Sequence, residues 1–154
     1  MDKWLVKAPK RLTIKVIFSK FGKSKVFRAI EDYFEHSHHK ALAALSELPK
    51  GTWSASDWLD DDGISDEMIK MAVKVNITDT KFIVNYNSSS LQVTGPVNMT
   101  YGGTVSMAKT YFKFLTSKDS PSNHGNYIPL EVKADPGNLF HAIYPAATYI
   151  PWTK

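Results

Sequence analysis

Three groups of polar side chains in this 154-residue chain have the types and spacing that chemistry requires. Asp60-Asp61-Asp62-Gly63 gathers carboxylates at a glycine turn, the ingredients of a hard-cation site. It lacks the alternating ligands and terminal Glu of an EF-hand, and three consecutive residues of an extended chain cannot all face one ion. The run therefore reads as a solvated acidic turn, as a surface that meets a basic one, or as a cation site. His36 and His39 stand three apart on a helical pattern and could share a cation, but spacing brings them no third ligand. His38 falls on the apolar stripe of the same helix. Ser88-Ser89-Ser90 has no general base beside it in sequence and suits a turn. Gly102-Gly103 before a helix is a weak anion site without the Lys and spacing of a P-loop. There is no cysteine, so disulfides, zinc ribbons, iron–sulfur clusters and thiol nucleophiles are excluded, and any metal must rest on His, Asp and Glu. No set of residues supplies nucleophile, base and oxyanion support together.

These residues sit on elements legible from periodicity. Lys3 to Pro9 has no clear period and is an entry segment. Leu12, Ile14 and Val16 alternate with Thr13, Lys15 and Ile17, a pattern for a short strand, although Phe18 and Phe21 suit a helix as well. Ser24 is placed to cap a helix whose face carries Phe27, Ile30, Phe34, His38, Ala41, Leu45 and Leu48, stopped by Pro49 and Gly51. Gly51 to Asp66 is acidic and turn-rich, a loop with at most a short strand. Ile69, Met71, Val73, Val75 and Ile77 alternate with polar residues, and Phe82, Val84 and Tyr86 alternate after a Thr78-Asp79-Thr80 turn, which predicts an antiparallel hairpin. A second helix is expected from near Thr104 to about Thr116, and a short strand from Tyr127 to Lys133. The expected fold is α+β, a small antiparallel sheet with two main helices, forming one domain or domain-sized piece over residues 1–154.

Composition bounds the class. Hydrophobic residues make up 43% and charged residues 22%, a globular balance. The apolar run Leu12 to Phe21 is interrupted by Lys15 and Lys20, so neither a spanning helix nor an export signal is expected, and the cytoplasm is the expected compartment. The net charge of +4 is segmented: ten Lys and Arg against four acids in residues 1–40, one against seven in 41–69, and eight against four thereafter. The basic first third carries no base-reading or stacking motif, so nucleic acid is not the expected partner. A free-standing interaction module whose basic N-terminal face binds an acidic protein or nucleic acid is the alternative functional reading.

The order of motifs resembles the middle of the hydantoinase B/oxoprolinase family. Leu48-Pro49-Lys50-Gly51-Thr52-Trp53 is followed by Asp57-Trp58-Leu59-Asp60-Asp61-Asp62-Gly63, then by Asn87 to Asn98 with its Gln92-Val93-Thr94-Gly95-Pro96-Val97-Asn98 core. Asn123-His124-Gly125-Asn126, Asp135-Pro136-Gly137-Asn138-Leu139 and Pro145-Ala146-Ala147 complete it. Asp60, Asp61, Asp62, Gly95, Pro96, Asn98, Asn123 and Gly125 are the site candidates this resemblance marks. It implies ATP-dependent opening of a cyclic amide, as in hydantoinases and oxoprolinases, or ATP-dependent ketone carboxylation, carried out with large partner subunits. ATP and a divalent metal would belong to the whole complex and no cofactor to this chain. The family's larger polypeptides also carry a metal-holding N-terminal region and a Gly-rich C-terminal region, so the resemblance implies a split or truncated piece, inactive alone. The Ser88 to Ser90 run replaces a common glycine and Ile128 a frequent arginine, so no substrate contact carries over to those positions.

Overall fold

The computed structural model describes residues 10–148, and the entry segment Lys3 to Pro9 lies outside them. Two helices lead the chain, α1 (Lys10–Phe21) and α2 (Lys23–Glu47). They are followed by strands β1 (Gly51–Leu59), β2 (Ile69–Ile77) and β3 (Phe82–Asn85), helix α3 (Tyr101–Ser117), a 3₁₀ turn (His124–Tyr127) and strand β4 (Leu130–Lys133). The sheet runs in the order β1-β2-β3-β4. The first two pairings are antiparallel, in the hairpin register Val75↔Val84 and Ile77↔Phe82 that the alternation predicts. β4 joins β3 in parallel, because α3 supplies the long crossover that a parallel neighbour needs. The α+β class holds, with one parallel pairing added to an otherwise antiparallel sheet.

The core forms where α2 and α3 lie on the Ile77–Phe82–Val84 face. Ala41 and Leu45 of α2 meet Ala108 and Phe112 of α3 there, and the Phe82 and Phe112 rings stand 5.3 Å apart. α2 buries the predicted stripe only in its second half, at Ala41 and Leu45, whereas Phe27 and Ile30 stay exposed because no described element covers the first half. Gly22 at φ +79° occupies the N-cap where Ser24 was expected. At the other end the Lys50 ammonium donates to the carbonyls of Leu45, Ser46 and Leu48 at 2.8, 2.8 and 2.9 Å, satisfying acceptors the last turn leaves open. No helix among the described residues is long and apolar enough to cross a membrane.

Four elements depart from the sequence expectation, the mildest being β4, which starts at Leu130 and not Tyr127 because Tyr127 closes the 3₁₀ turn. The Leu12 to Val16 alternation is helical: Ile14, Ile17, Phe18 and Phe21 follow the helix period, and the Phe18 ring meets Phe27 of α2 at a tilt, 5.7 Å between centroids. The supposed loop from Gly51 contains a nine-residue strand paired along its whole length, Gly51↔Ile77 to Leu59↔Ile69. It is exposed from Thr52 to Trp58, so no buried face writes a period into its sequence. α3 starts three residues early because the Thr100 hydroxyl accepts from the Gly103 N–H at 3.2 Å, a cap that carries the helix through its glycine pair. Thr100→Ala is expected to cost about 1 kcal/mol of stability in urea unfolding, with the slope of the transition unchanged.

Candidate functional site

The motif residues converge on backbone, not on one another's reactive groups. Asp62 is buried, at 3% exposure. Its Oδ1 accepts from the N–H groups of Ile64 and Ser65 at 2.9 and 2.7 Å and from the Ser65 hydroxyl at 3.2 Å. Its Oδ2 accepts from the Gly95 N–H at 2.8 Å, which ties the β1–β2 loop to the loop after β3. Gly95 is irreplaceable in that position, since a Cβ there would overlap the Asp62 carbonyl. Three residues on, Asn98 is fully buried and works in both directions: Oδ1 accepts from Val93 N–H at 2.8 Å, while Nδ2 donates to the carbonyls of Val93, Gly95 and Ala147 at 2.8, 3.0 and 2.8 Å. Asp62, Gly95, Asn98 and Ala147 thus form one continuous clamp on three loops. Pro96 stands exposed beside it.

A second clamp holds the turn after α3 to helix α2. Asn123 Nδ2 donates to the buried Ser37 hydroxyl at 2.7 Å, and its backbone N–H is received by Asn126 Oδ1 at 3.0 Å. Gly125 lies so close to the Phe34 carbonyl that a Cβ would overlap it. The Ser88 to Ser90 run also has a structural task. Ser89 Oγ accepts from Ala72 N–H at 2.9 Å and donates to Ala72 C=O at 2.8 Å, and Ser90 pairs with Lys70 through its hydroxyl and N–H at 2.9 Å each. These bonds continue the ladder of β2 beyond the end of β3.

The acidic triad does not act as a unit. Asp62 turns inward, whereas Asp60 and Asp61 stay exposed, Asp61 receiving only the Gly63 N–H at 2.7 Å. His36 and His39 are exposed on α2. Among the described residues no three His, Cys, Asp or Glu side chains converge as a metal site would require. Sequence reasoning did not assign roles to Gln92 and Asn138, which act as further clamps. Gln92 Oε1 receives Ile143 N–H at 2.8 Å, and Asn138 Oδ1 receives Phe140 N–H at 2.9 Å. Both lie inside quoted motifs, and an amide side chain in a turn-rich segment was the available signal.

One concavity accompanies the clamps. Ala55, Met71 and Val73 floor a cavity of about 350 Å³ beside the Tyr86–Phe140 ring pair, 4.6 Å between centroids, with Ser56 and Asp57 at the rim. Burial, with Tyr111 as a second cause, holds the Tyr86 phenol above its usual pKa of 10.0, so it remains a neutral donor at physiological pH. This arrangement can seat an apolar group but offers no activated nucleophile.

The Asp62 clamp sets a pH dependence. The N–H groups of Ser65, Gly95 and Ile64, in that order, bring its pKa from 3.8 to about 2. Folding therefore favours the ionised form; the stabilisation is fully present above the unfolded value and is lost as pH falls through the folded one. Thermal melts are expected to show wild type losing Tm between pH 4 and pH 2 (roughly the interval between the two pKa values) more steeply than Asp62→Asn, which starts lower at neutral pH. Parallel acid limbs would show that the clamp is not formed.

A sequence profile described as Hydantoinase B/oxoprolinase matches residues 10–153. A provisionally assigned D-/L-hydantoinase subunit of Pseudomonas sp. (strain NS671) is 31% identical over 143 residues, covering 86% of this chain and 24% of that one. An uncharacterised protein of Methanocaldococcus jannaschii is 24% identical over 130 residues, covering 84% and 22%. Among solved structures, the ATP-dependent caprolactamase from Pseudomonas jessenii superposes with a TM-score of 0.75 at 23% identity, over 86% of this chain and 23% of that one. An acetone carboxylase, solved nucleotide-free in work on ATP-dependent acetone carboxylation, superposes with a TM-score of 0.76 at 12% identity, over 90% and 20%. The chain spans about a quarter of the length of the curated relatives it matches.

Proposed function

The chain belongs to the hydantoinase B/oxoprolinase family, and from that footing we propose that it is the scaffold portion of an ATP-dependent enzyme that opens cyclic amides, hydantoin or 5-oxoproline type, or carboxylates a ketone. The observation that carries this reading is the family match over residues 10–153. The clamps supply the physical reason for a scaffold role. The polar groups of Asp62 and Asn98 are spent on backbone and the Asn123 amide nitrogen on Ser37, so they hold loops in place and form no reactive pair. ATP, a divalent metal and the catalytic residues then come from large partner subunits. The hydantoinase name of one relative, together with the caprolactamase and acetone carboxylase among the solved structures, supports an ATP-dependent reaction at a carbonyl carbon.

The test is retrieval of a tagged copy from its native host. Large subunits are expected to co-purify, and the retrieved assembly forms ADP in the presence of hydantoin, 5-oxoproline, caprolactam or acetone, whereas the purified chain alone does not. Turnover by the chain alone, or retrieval of no large subunit, overturns the scaffold reading.

A further inference from the structure

α1 and the first half of α2 make a two-helix arm. α1 packs principally on α2, and neither makes substantial contact with β1. Along the arm runs an apolar groove of about 420 Å³ lined by Ile17, Phe21, Val26, Ala29, Ile30 and Tyr33. Ile14, Phe21, Phe27, Ile30 and Tyr33 all remain 41–53% exposed, an apolar patch of the kind that marks an interaction surface. Lys25 lines it as well, and Lys15, Lys20, Lys23 and Arg28 are exposed on the same two helices, against Glu31 and Asp32 further along α2.

The far end of the β1–β2 hairpin carries the complementary chemistry. Because Leu59 pairs with Ile69, the segment between them is gathered at one place. Asp57, Asp60, Asp61, Asp66 and Glu67 are exposed there, interleaved with the exposed apolar side chains of Trp58, Ile64 and Met68, and residues 51–69 contain no Lys or Arg. The Asp62 bond to Gly95 pins this loop, so the acidic surface is preorganised before anything meets it.

We infer that the arm of one copy seats on the acidic hairpin end of a second copy and receives that copy's arm in return, closing a two-fold dimer. Reciprocity follows from symmetry: when residue i of one chain meets j of the other, j meets i. Pairing of arm on arm is disfavoured by five cations facing five. The inference rests on charge and apolar complementarity within this chain and not on the family reading, so each can fail without the other.

Sedimentation of the full 154-residue chain tests it. A dimer is expected at about 0.05 M salt, weakened by at least about tenfold at about 0.5 M. Lys20→Glu with Lys25→Glu, and separately Asp60→Lys with Asp66→Lys, are each expected to raise the dissociation constant about tenfold or more, and an equimolar mixture of the two variants to restore the dimer. Circular dichroism checks that both variants fold. If either does not, carbodiimide cross-linking of isotope-labelled with unlabelled wild type decides, with intermolecular links from arm lysines to hairpin-end aspartates expected. A monomer at all concentrations, a dimer indifferent to both charge pairs, no recovery on mixing, or cross-links elsewhere would overturn the inference.

Discussion

Asn98→Ala is expected to lower the unfolding free energy by roughly 3–5 kcal/mol in urea titrations, the sum of several backbone groups left unpaired in a dry site. The wild-type amide meets one N–H and three carbonyls, on Val93, Gly95 and Ala147, from a fully buried position. Alanine satisfies none of them, and the loops that bring them together have no regular ladder to take over. Asn98→Asp separates hydrogen bonding from mere volume. The carboxylate keeps the acceptor for Val93 N–H but turns an oxygen toward carbonyl oxygens, so at neutral pH it should be no better than alanine. Acidification protonates it, and its deficit relative to wild type should then shrink. A loss below about 1 kcal/mol for the alanine variant would mean that water reaches these groups and that the clamp is not closed.

How much of this was legible follows from where burial leaves a mark. The second half of the α2 stripe and the alternation of β3 are visible because each buries one face, and β2 lies where its alternation places it although Ala72 on its other face is buried as well. β1 buries almost nothing, so its only signals were Trp53, Trp58 and Thr52, residues that favour strands yet sit among Ser, Asp and Gly. α1 was ambiguous because Leu12, Ile14 and Val16 fit a period of two while Ile14, Ile17, Phe18 and Phe21 fit one of 3.6, and only its packing on α2 decides.

The candidate site was legible as positions but not as roles. The motif order pointed to Asp62, Gly95, Asn98, Asn123 and Gly125, and all five lie in the clamps. What sequence cannot show is direction. Three adjacent aspartates look equivalent on paper, yet one turns inward to four donors while its neighbours face solvent. The distinction matters for assembly, since neutralising Asp60 and Asp61 alters surface charge alone, whereas neutralising Asp62 also frees the loop that displays them.

Gly125→Ala should be as damaging as Gly95→Ala, the other glycine whose added methyl meets backbone, costing about 3 kcal/mol or more. The added methyl would overlap the Phe34 carbonyl and approach its Cα, which are backbone atoms of α2 and cannot swing aside as a side chain would. Relief requires moving the 3₁₀ turn away from the helix. That movement stretches the 2.7 Å bond from Asn123 to the buried Ser37 hydroxyl and parts the Phe34 ring from His124, now 5.9 Å centroid to centroid. Gly137→Ala provides the contrast. Its φ of +86° strains alanine, but nothing lies within 4 Å of the new methyl, so the cost should stay near 1 kcal/mol, the usual penalty for a non-glycine residue in that region. Measuring the two by urea unfolding separates steric exclusion from backbone preference. Equal losses would place Gly125 among ordinary turn glycines and remove the close approach of turn and helix from the account of how this fold is held.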